Sequence, residues 1–256
     1  MKLYYKKIIN SEIAIRIRNT LNISPVDMTT KGIHSGSVSD SFLWRTDNNF
    51  STKIKFLDIL NFYYDENETT ANIIFYDSNF NFLKKINFSK LNKINELIID
   101  KKFFNNKEGY GTFYIFHDTK NKLEQKKIIS NRCYIGFSKN NQHFSYTHGN
   151  LLARYKTLDG NKSIKSDIIK TSLIMNQNYK IKKYFNKNLI NEIFLANPTS
   201  KKVNFKIGKN LYSLREGCSI IINLKDQNVV NIKSNCLFLR PLVFSYNKEF
   251  FDVHHG

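Results

Sequence analysis

Hydrophobic and polar positions alternate along most of the chain. From Ser51 to Phe56, Thr52, Ile54 and Phe56 fall on one side and Lys53 and Lys55 on the other. That period of two is the mark of a half-buried strand. Asn72–Tyr76 is a β-rich run, Asp77-Ser78-Asn79 punctuates it, and Phe82–Phe88 resumes the alternation, which predicts a hairpin. Leu91, Ile94, Leu97 and Ile98 fit one short helix, or a strand opening at the last two. Gly109-Tyr110-Gly111 leads into Thr112–Phe116, a β-branched and aromatic run. Arg132–Phe137 and His143–His148 flank Ser138–Gln142, a second hairpin with Asn140 and Asn141 suited to left-handed turn positions. Gly149-Asn150 ends it.

Residues 156–178 carry no firm period, apart from a possible short helix around Ile164–Ile174. Strands then return over Tyr179–Phe185, Glu192–Ala196, Lys202–Ile207, Asn210–Leu214, Cys218–Asn223, Val229–Ser234 and Leu237–Tyr246. Short strands with turns at this spacing point to a sandwich or barrel. Ahead of them, residues 1–33 fit both periods: Ile9, Ile13, Ile17 and Leu21 form an i, i+4 stripe, while Ile13, Ile15 and Ile17 alternate with polar or small neighbours. A strand is the preferred reading there, a cationic amphipathic helix the other.

A weak internal repeat bears on the organisation. Lys84–Phe88 echoes Lys201–Phe205, Leu97–Ile99 echoes Ile220–Ile222, and Thr112–Phe116 echoes Leu239–Tyr246. The expected fold is therefore all-β, with two tandem immunoglobulin-like β-sandwich domains. Residues 1–33 form an N-terminal extension, 34–160 a first domain with inserted hairpins, and 176–256 a second, smaller one.

Composition changes the picture in two ways. The 256 residues carry a net charge of +19, which invites a nucleic-acid reading. Yet 33 Lys, 34 Asn and 31 Ile, all with A/T-rich codons, account for 98 residues, and the Lys residues are scattered. A codon-driven cationic surface explains that charge. With seven Arg against 33 Lys, an Arg in this chain marks a place that needs a planar, bidentate donor.

Several chemistries are excluded. The chain has no GxxxxGK[ST], GxGxxG, GxSxG or HExxH motif and no EF-hand loop. Cys133, Cys218 and Cys236 lack CxxC spacing and read as free thiols in a reducing compartment. The N-terminus lacks a signal-like apolar region and no run approaches 18 apolar residues, so a cytoplasmic protein is expected.

Candidate chemistry gathers around Ser35–Asn49, which holds Asp40, the single Trp, Arg45 and Asp47. Trp44-Arg45-Thr46-Asp47 supplies an aromatic platform, a planar donor and a carboxylate, the needs of a sugar site. In a regular strand, however, Phe42, Trp44 and Thr46 share one face and Leu43, Arg45 and Asp47 the other. Trp44 then suits a core better than a ligand, and Arg45 and Asp47 carry the chemistry. The candidate ligand-binding set is Trp44, Arg45, Asp47, Arg132, Tyr146, His148, Arg154 and Arg240. Asp252 and His254, two apart near the C-terminus, would share a face and could join His148 around a divalent metal.

The leading functional expectation is a non-catalytic binding or accessory protein for a carbohydrate or a partner protein. The alternatives are a metal-dependent or carboxylate-based enzyme acting on a glycan or small polar substrate at the domain junction, and a basic nucleic-acid-associated protein.

Overall fold

A computed structural model gives the fold and describes residues 13, 17, 36–120, 128–157, 164, 165, 177–182, 188–224, 229–236 and 239–255. The chain is built almost wholly of strands in small antiparallel sheets. In order they are β1 (Gly36–Arg45), β2 (Phe50–Leu57), β3 (Thr69–Asp77), β4 (Phe82–Phe88), β5 (Ile94–Ile99), β6 (Tyr110–Thr119), β7 (Ile128–Asn131), β8 (Tyr134–Lys139), β9 (Ser145–His148), β10 (Asn150–Thr157) and β11 (Ile164–Lys165). The later strands are β12 (Gln177–Lys182), β13 (Ile190–Ala196), β14 (Val203–Ile207), β15 (Asn210–Leu214), β16 (Ser219–Asn223), β17 (Val229–Ser234), β18 (Leu242–Tyr246) and β19 (Phe251–His255). A short helix, α1 (Ile59–Tyr64), is capped by Asp58, whose side chain accepts from the Asn61 amide.

Among the described residues there are four sheets, set as the blades of a propeller-like ring and not as two immunoglobulin-like domains. In an immunoglobulin fold the first two strands are neighbours in one sheet. Here β1 and β2 lie in different sheets, and so do β12 and β13. The one-turn 3-10 corner at Asp47–Asn49, with Asn48 and Asn49 at positive φ, sends the chain from the first sheet into the next.

The two halves repeat one strand order. β1-β6-β3-β4 in the first is matched by β12-β17-β14-β15 in the second, and β5-β2-β8-β9 by β16-β13-β18-β19. This register corrects two of the sequence echoes: Lys84–Phe88 is β4 and answers to β15, and Thr112–Phe116 in β6 answers to β17. The Leu97–Ile99 and Ile220–Ile222 pairing stands, as β5 and β16. The first sheet also gains β7, β10 and β11, because β1 shifts register between Ser39 and Ser41 and pairs with different neighbours on either side of the break.

The core crosses between the halves. One apolar cluster joins Phe42, Trp44, Phe50, Ile54 and Phe113 to Phe194, Leu242, Phe244 and Phe251. A second joins Ile193, Leu195 and Val243 to Val203, Phe205 and Ile232. Alternation along β13 and β18 therefore feeds both clusters, one from each face of the β16-β13-β18-β19 sheet.

Both predicted hairpins form, as β3–β4 and β8–β9, and the turn of the second holds Asn140 and Asn141 at φ 51 and 59. Ile94–Ile99 is a strand and not part of a helix. Ile13 and Ile17 are helical and exposed, against the strand reading at those two positions, and the rest of residues 1–33 falls outside the described residues. Ile164 and Lys165 form β11 in place of the start of the expected helix, and the rest of that helix falls outside the described residues.

Candidate functional site

Arg45 ends β1 and is fully buried. Its Nε and Nη2 donate to the Asp47 carboxylate at 3.0 and 2.8 Å, and its Nη1 donates to Glu192 at 2.8 Å. The Phe50 ring lies 3.7 Å from the guanidinium carbon. Burial alone would lower the Arg45 pKa, but the carboxylates of Asp47 and Glu192 outweigh it and hold the charge in place. Glu192 lies 147 residues further along, on β13, so this fork ties the first half to the second. Tyr246 beside it has its pKa raised by burial and by Glu192.

The two carboxylates at this junction thus both hold one guanidinium that has no solvent access. Arg45 and Asp47, expected at a ligand, are bonded to each other, and Arg45 also to Glu192. Trp44 is 2% exposed, packs on Phe104 at 4.5 Å and donates its indole N–H to the Tyr76 carbonyl at 2.9 Å. It offers no ring face to a sugar, because both faces of β1 are covered.

The residues expected around a metal fall into two separate pairs. Alternation along β19 puts Asp252 and His254 on one side and His255 on the other. Asp252 faces His254 at 3.5 Å and accepts from Ser145 Oγ at 3.2 Å. His148 meets His255 instead, with Nδ1 3.1 Å from His255 Nε2. No three metal-ligating side chains converge among the described residues. His255, which the sequence reading left out of the site, is the residue that His148 finds. Its signal was there in the period-two alternation after Phe251, had the C-terminal segment been read as a strand.

The histidine pair sits in a cationic setting. Burial, then the Arg240 charge, then His148 bring the His255 pKa down to about 4. Burial, then Arg240, with Arg132 also contributing, lower that of His148. Of the remaining candidates, Arg132 is exposed. Tyr146 is exposed on β9 with Lys55 Nζ 5.4 Å from its ring. The backbone of Arg154 pairs with Ser39, and its side chain lies outside the described residues.

A wider cleft, unmarked in the sequence reading, opens on the outer face of β3, β4 and β6. Its volume is about 400 Å3, within the range of small-ligand sites. Cross-strand register builds it. Asn87, Asn72 and Phe116 form one row, and Lys85, Ile74 and Tyr114 the next. Thr70 and Asp118 close a third. The apolar part of the lining is Ala71, Ile74, Phe88 and Phe116, and Phe116 packs in one cluster with Tyr114, Ile74 and Tyr76. The alternation of Asn72, Ile74, Lys85 and Asn87 could have marked this face, but it looked like an ordinary solvated one.

No family model and no curated protein matches the chain. Among solved structures it is similar to an anti-sigma factor domain-containing protein, at 10% identity and a TM-score of 0.20, over 83% of this chain and 80% of that one. It is also similar to a glycosyl hydrolase family 2 member from Bacteroides cellulosilyticus, at 6% identity and a TM-score of 0.19. That match covers 86% of this chain and 26% of the other, so the chain spans about a quarter of that structure. Likenesses this slight decide neither fold nor function.

Proposed function

We propose that the chain is a non-catalytic binding module and that its ligand is a carbohydrate seated in the cleft on β3, β4 and β6. The observation that carries this is the cleft's chemistry: amides, hydroxyls, one Lys and one Asp stand in cross-strand rows beside apolar ground. Sugars present hydroxyls and an apolar CH face, which such a surface complements. A rigid sheet holds the donors in place before binding, which lowers the ordering cost.

The same cleft disfavours hydrolysis. A glycosidase needs two carboxyl groups across the scissile bond, and Asp118 is the one carboxylate among the described lining residues. The nucleic-acid reading rests on net charge, and this cleft has no basic cluster.

The split into a first unit over 34–160 and a second over 176–256 is retained as a proposal, supported by the repeated strand order. Cys133, Cys218 and Cys236 are buried and joined in no disulfide, which suits a cytoplasmic setting. No described helix is long and apolar enough to cross a membrane.

Binding to an array of neutral oligosaccharides, followed by calorimetry on the best one, tests the reading. Asn72→Ala and Lys85→Ala should each weaken binding about tenfold or more, the cost of leaving a hydrogen-bonding group unmatched. Affinity should be flat with salt, where nucleic-acid binding would fall steeply. An array with no neutral glycan bound, or variants that bind like the parent, defeats it.

A further inference from the structure

A second, smaller cavity lies where β1, β9, β18 and β19 approach one another. Ser41, His148, Gly149, Arg240 and His255 line it, and its volume is about 10 Å3. That is close to what one water molecule or one ligand oxygen requires.

Two of these residues carry a buried polar atom with no hydrogen-bond partner, Ser41 Oγ and His255 Nδ1. Ser41 itself is 1% exposed. Native interiors keep few such atoms, and each calls for a reason. Both residues line one cavity, which has room for an oxygen to serve as their partner.

The cavity wall carries the positive charge of Arg240, while the buried Asp40 stands beside Gly149. The cavity's described lining contains no carboxylate. Arg240 has no carboxylate partner among the described residues. Arg132 and Arg240 both lay positive charge on His148. In a chain with seven Arg among 40 basic residues, two beside one histidine pair is a concentration of the planar donor that suits oxyanions.

We propose that this junction binds a tetrahedral oxyanion, a phosphate or a phosphomonoester, with one oxygen in the cavity and the rest at its mouth. Ser41 donates its hydroxyl proton to the inserted oxygen. Arg240 donates from its guanidinium to the outer oxygens. One proton lies between His148 Nδ1 and His255 Nε2, which are 3.1 Å apart. When His148 holds it, His255 carries its own proton on Nδ1 and donates that to the anion. Arg132, exposed beside His148, adds attraction at the rim. The site is separate from the cleft on β3, β4 and β6, and does not depend on the carbohydrate reading.

Calorimetric titration with inorganic phosphate, against chloride at the same ionic strength, tests the proposal. A saturable one-to-one isotherm is expected. Arg240→Gln should weaken it at least tenfold and Ser41→Ala severalfold, with urea midpoints showing that both variants fold. Ser41→Ala removes an unpartnered hydroxyl, so it keeps the fold even if Arg240→Gln does not. Lys206→Gln, at an exposed position on β14, should bind like the parent. A soluble phosphomonoester and phosphatidylcholine vesicles doped with phosphatidic acid, run in parallel, identify the source: whichever shows the same loss in Arg240→Gln shares the site. Phosphate heats no larger than those of chloride overturn the proposal. So do affinities unchanged in both variants.

Discussion

At the scale of single residues, Arg45 shows what a scarce Arg is used for in a Lys-rich chain. Lys could supply the charge but not two parallel N–H groups to Asp47 and a third to Glu192. Removing it leaves two carboxylates facing each other with little solvent, since their side chains are 20% and 11% exposed. Arg45→Ala should therefore cost about 3–5 kcal/mol, the usual penalty for breaking a buried pair from one side. Glu192→Gln keeps the Asp47 fork and should cost less, about 1–2 kcal/mol. Urea midpoints measured at constant slope check both, and a cost below 1 kcal/mol for Arg45→Ala, about what an exposed ion pair contributes, would refute the buried fork. The contact with Asp47 is of the planar, bidentate kind that a scarce Arg suits. What the sequence hid was its partner, because Glu192 is 147 residues away and no local pattern joins them.

At the scale of elements, β19 decides how the C-terminal segment behaves with pH. His255 titrates near 4 in the folded chain, mainly because it is buried and then because of Arg240 and His148, with His254 adding to them. An unfolded His titrates near 6.5. The unfolded state thus binds more protons between these values, and stability rises with pH there. It should be complete above about pH 6.5 and decline as pH falls toward about 4. His148 shifts in the same direction. The ring is partly exposed, so solvent trims the effect to roughly 1–2 kcal/mol. Urea midpoints from pH 7.5 to 4 measure it, and His255→Gln should flatten the slope; a slope unchanged in that variant would assign the acid sensitivity elsewhere. Elements were the most legible level. Period-two runs located β2, β4 and β15, and Asn pairs located the β8–β9 turn. β1 was half missed because its start is Ser-rich and buried on both sides, so it lacks alternation. β19 was missed because His-His-Gly at a chain end looks like a tail.

At the scale of the whole molecule, strand order and core tell different stories, and energetics chooses between them. Strand order repeats, which suggests two units. Yet Phe244, from the second half, packs against Phe50 at 5.7 Å and Phe137 at 4.9 Å from the first, and against Phe194 at 6.3 Å from its own. It also lies 4.9 Å from the Arg45 guanidinium carbon. The turns add a second bridge. Gly217 has φ +66 and leaves room for Phe80, whose ring an added Cβ would strike, and the Ser219 amide donates to the Ser78 carbonyl at 2.9 Å. A sequence reading cannot see this, because the alternation of β13 and β18 says that both faces are apolar but not which half each one touches. If the shared core governs folding, the chain melts as one unit. Phe244→Ala should then lower stability by about 3–5 kcal/mol and shift a single transition, with calorimetric and van't Hoff enthalpies still equal. Two resolved transitions, with the variant moving the second alone, would instead mean that each half is held by its own sheets and that the aromatic contacts between them are a docking surface.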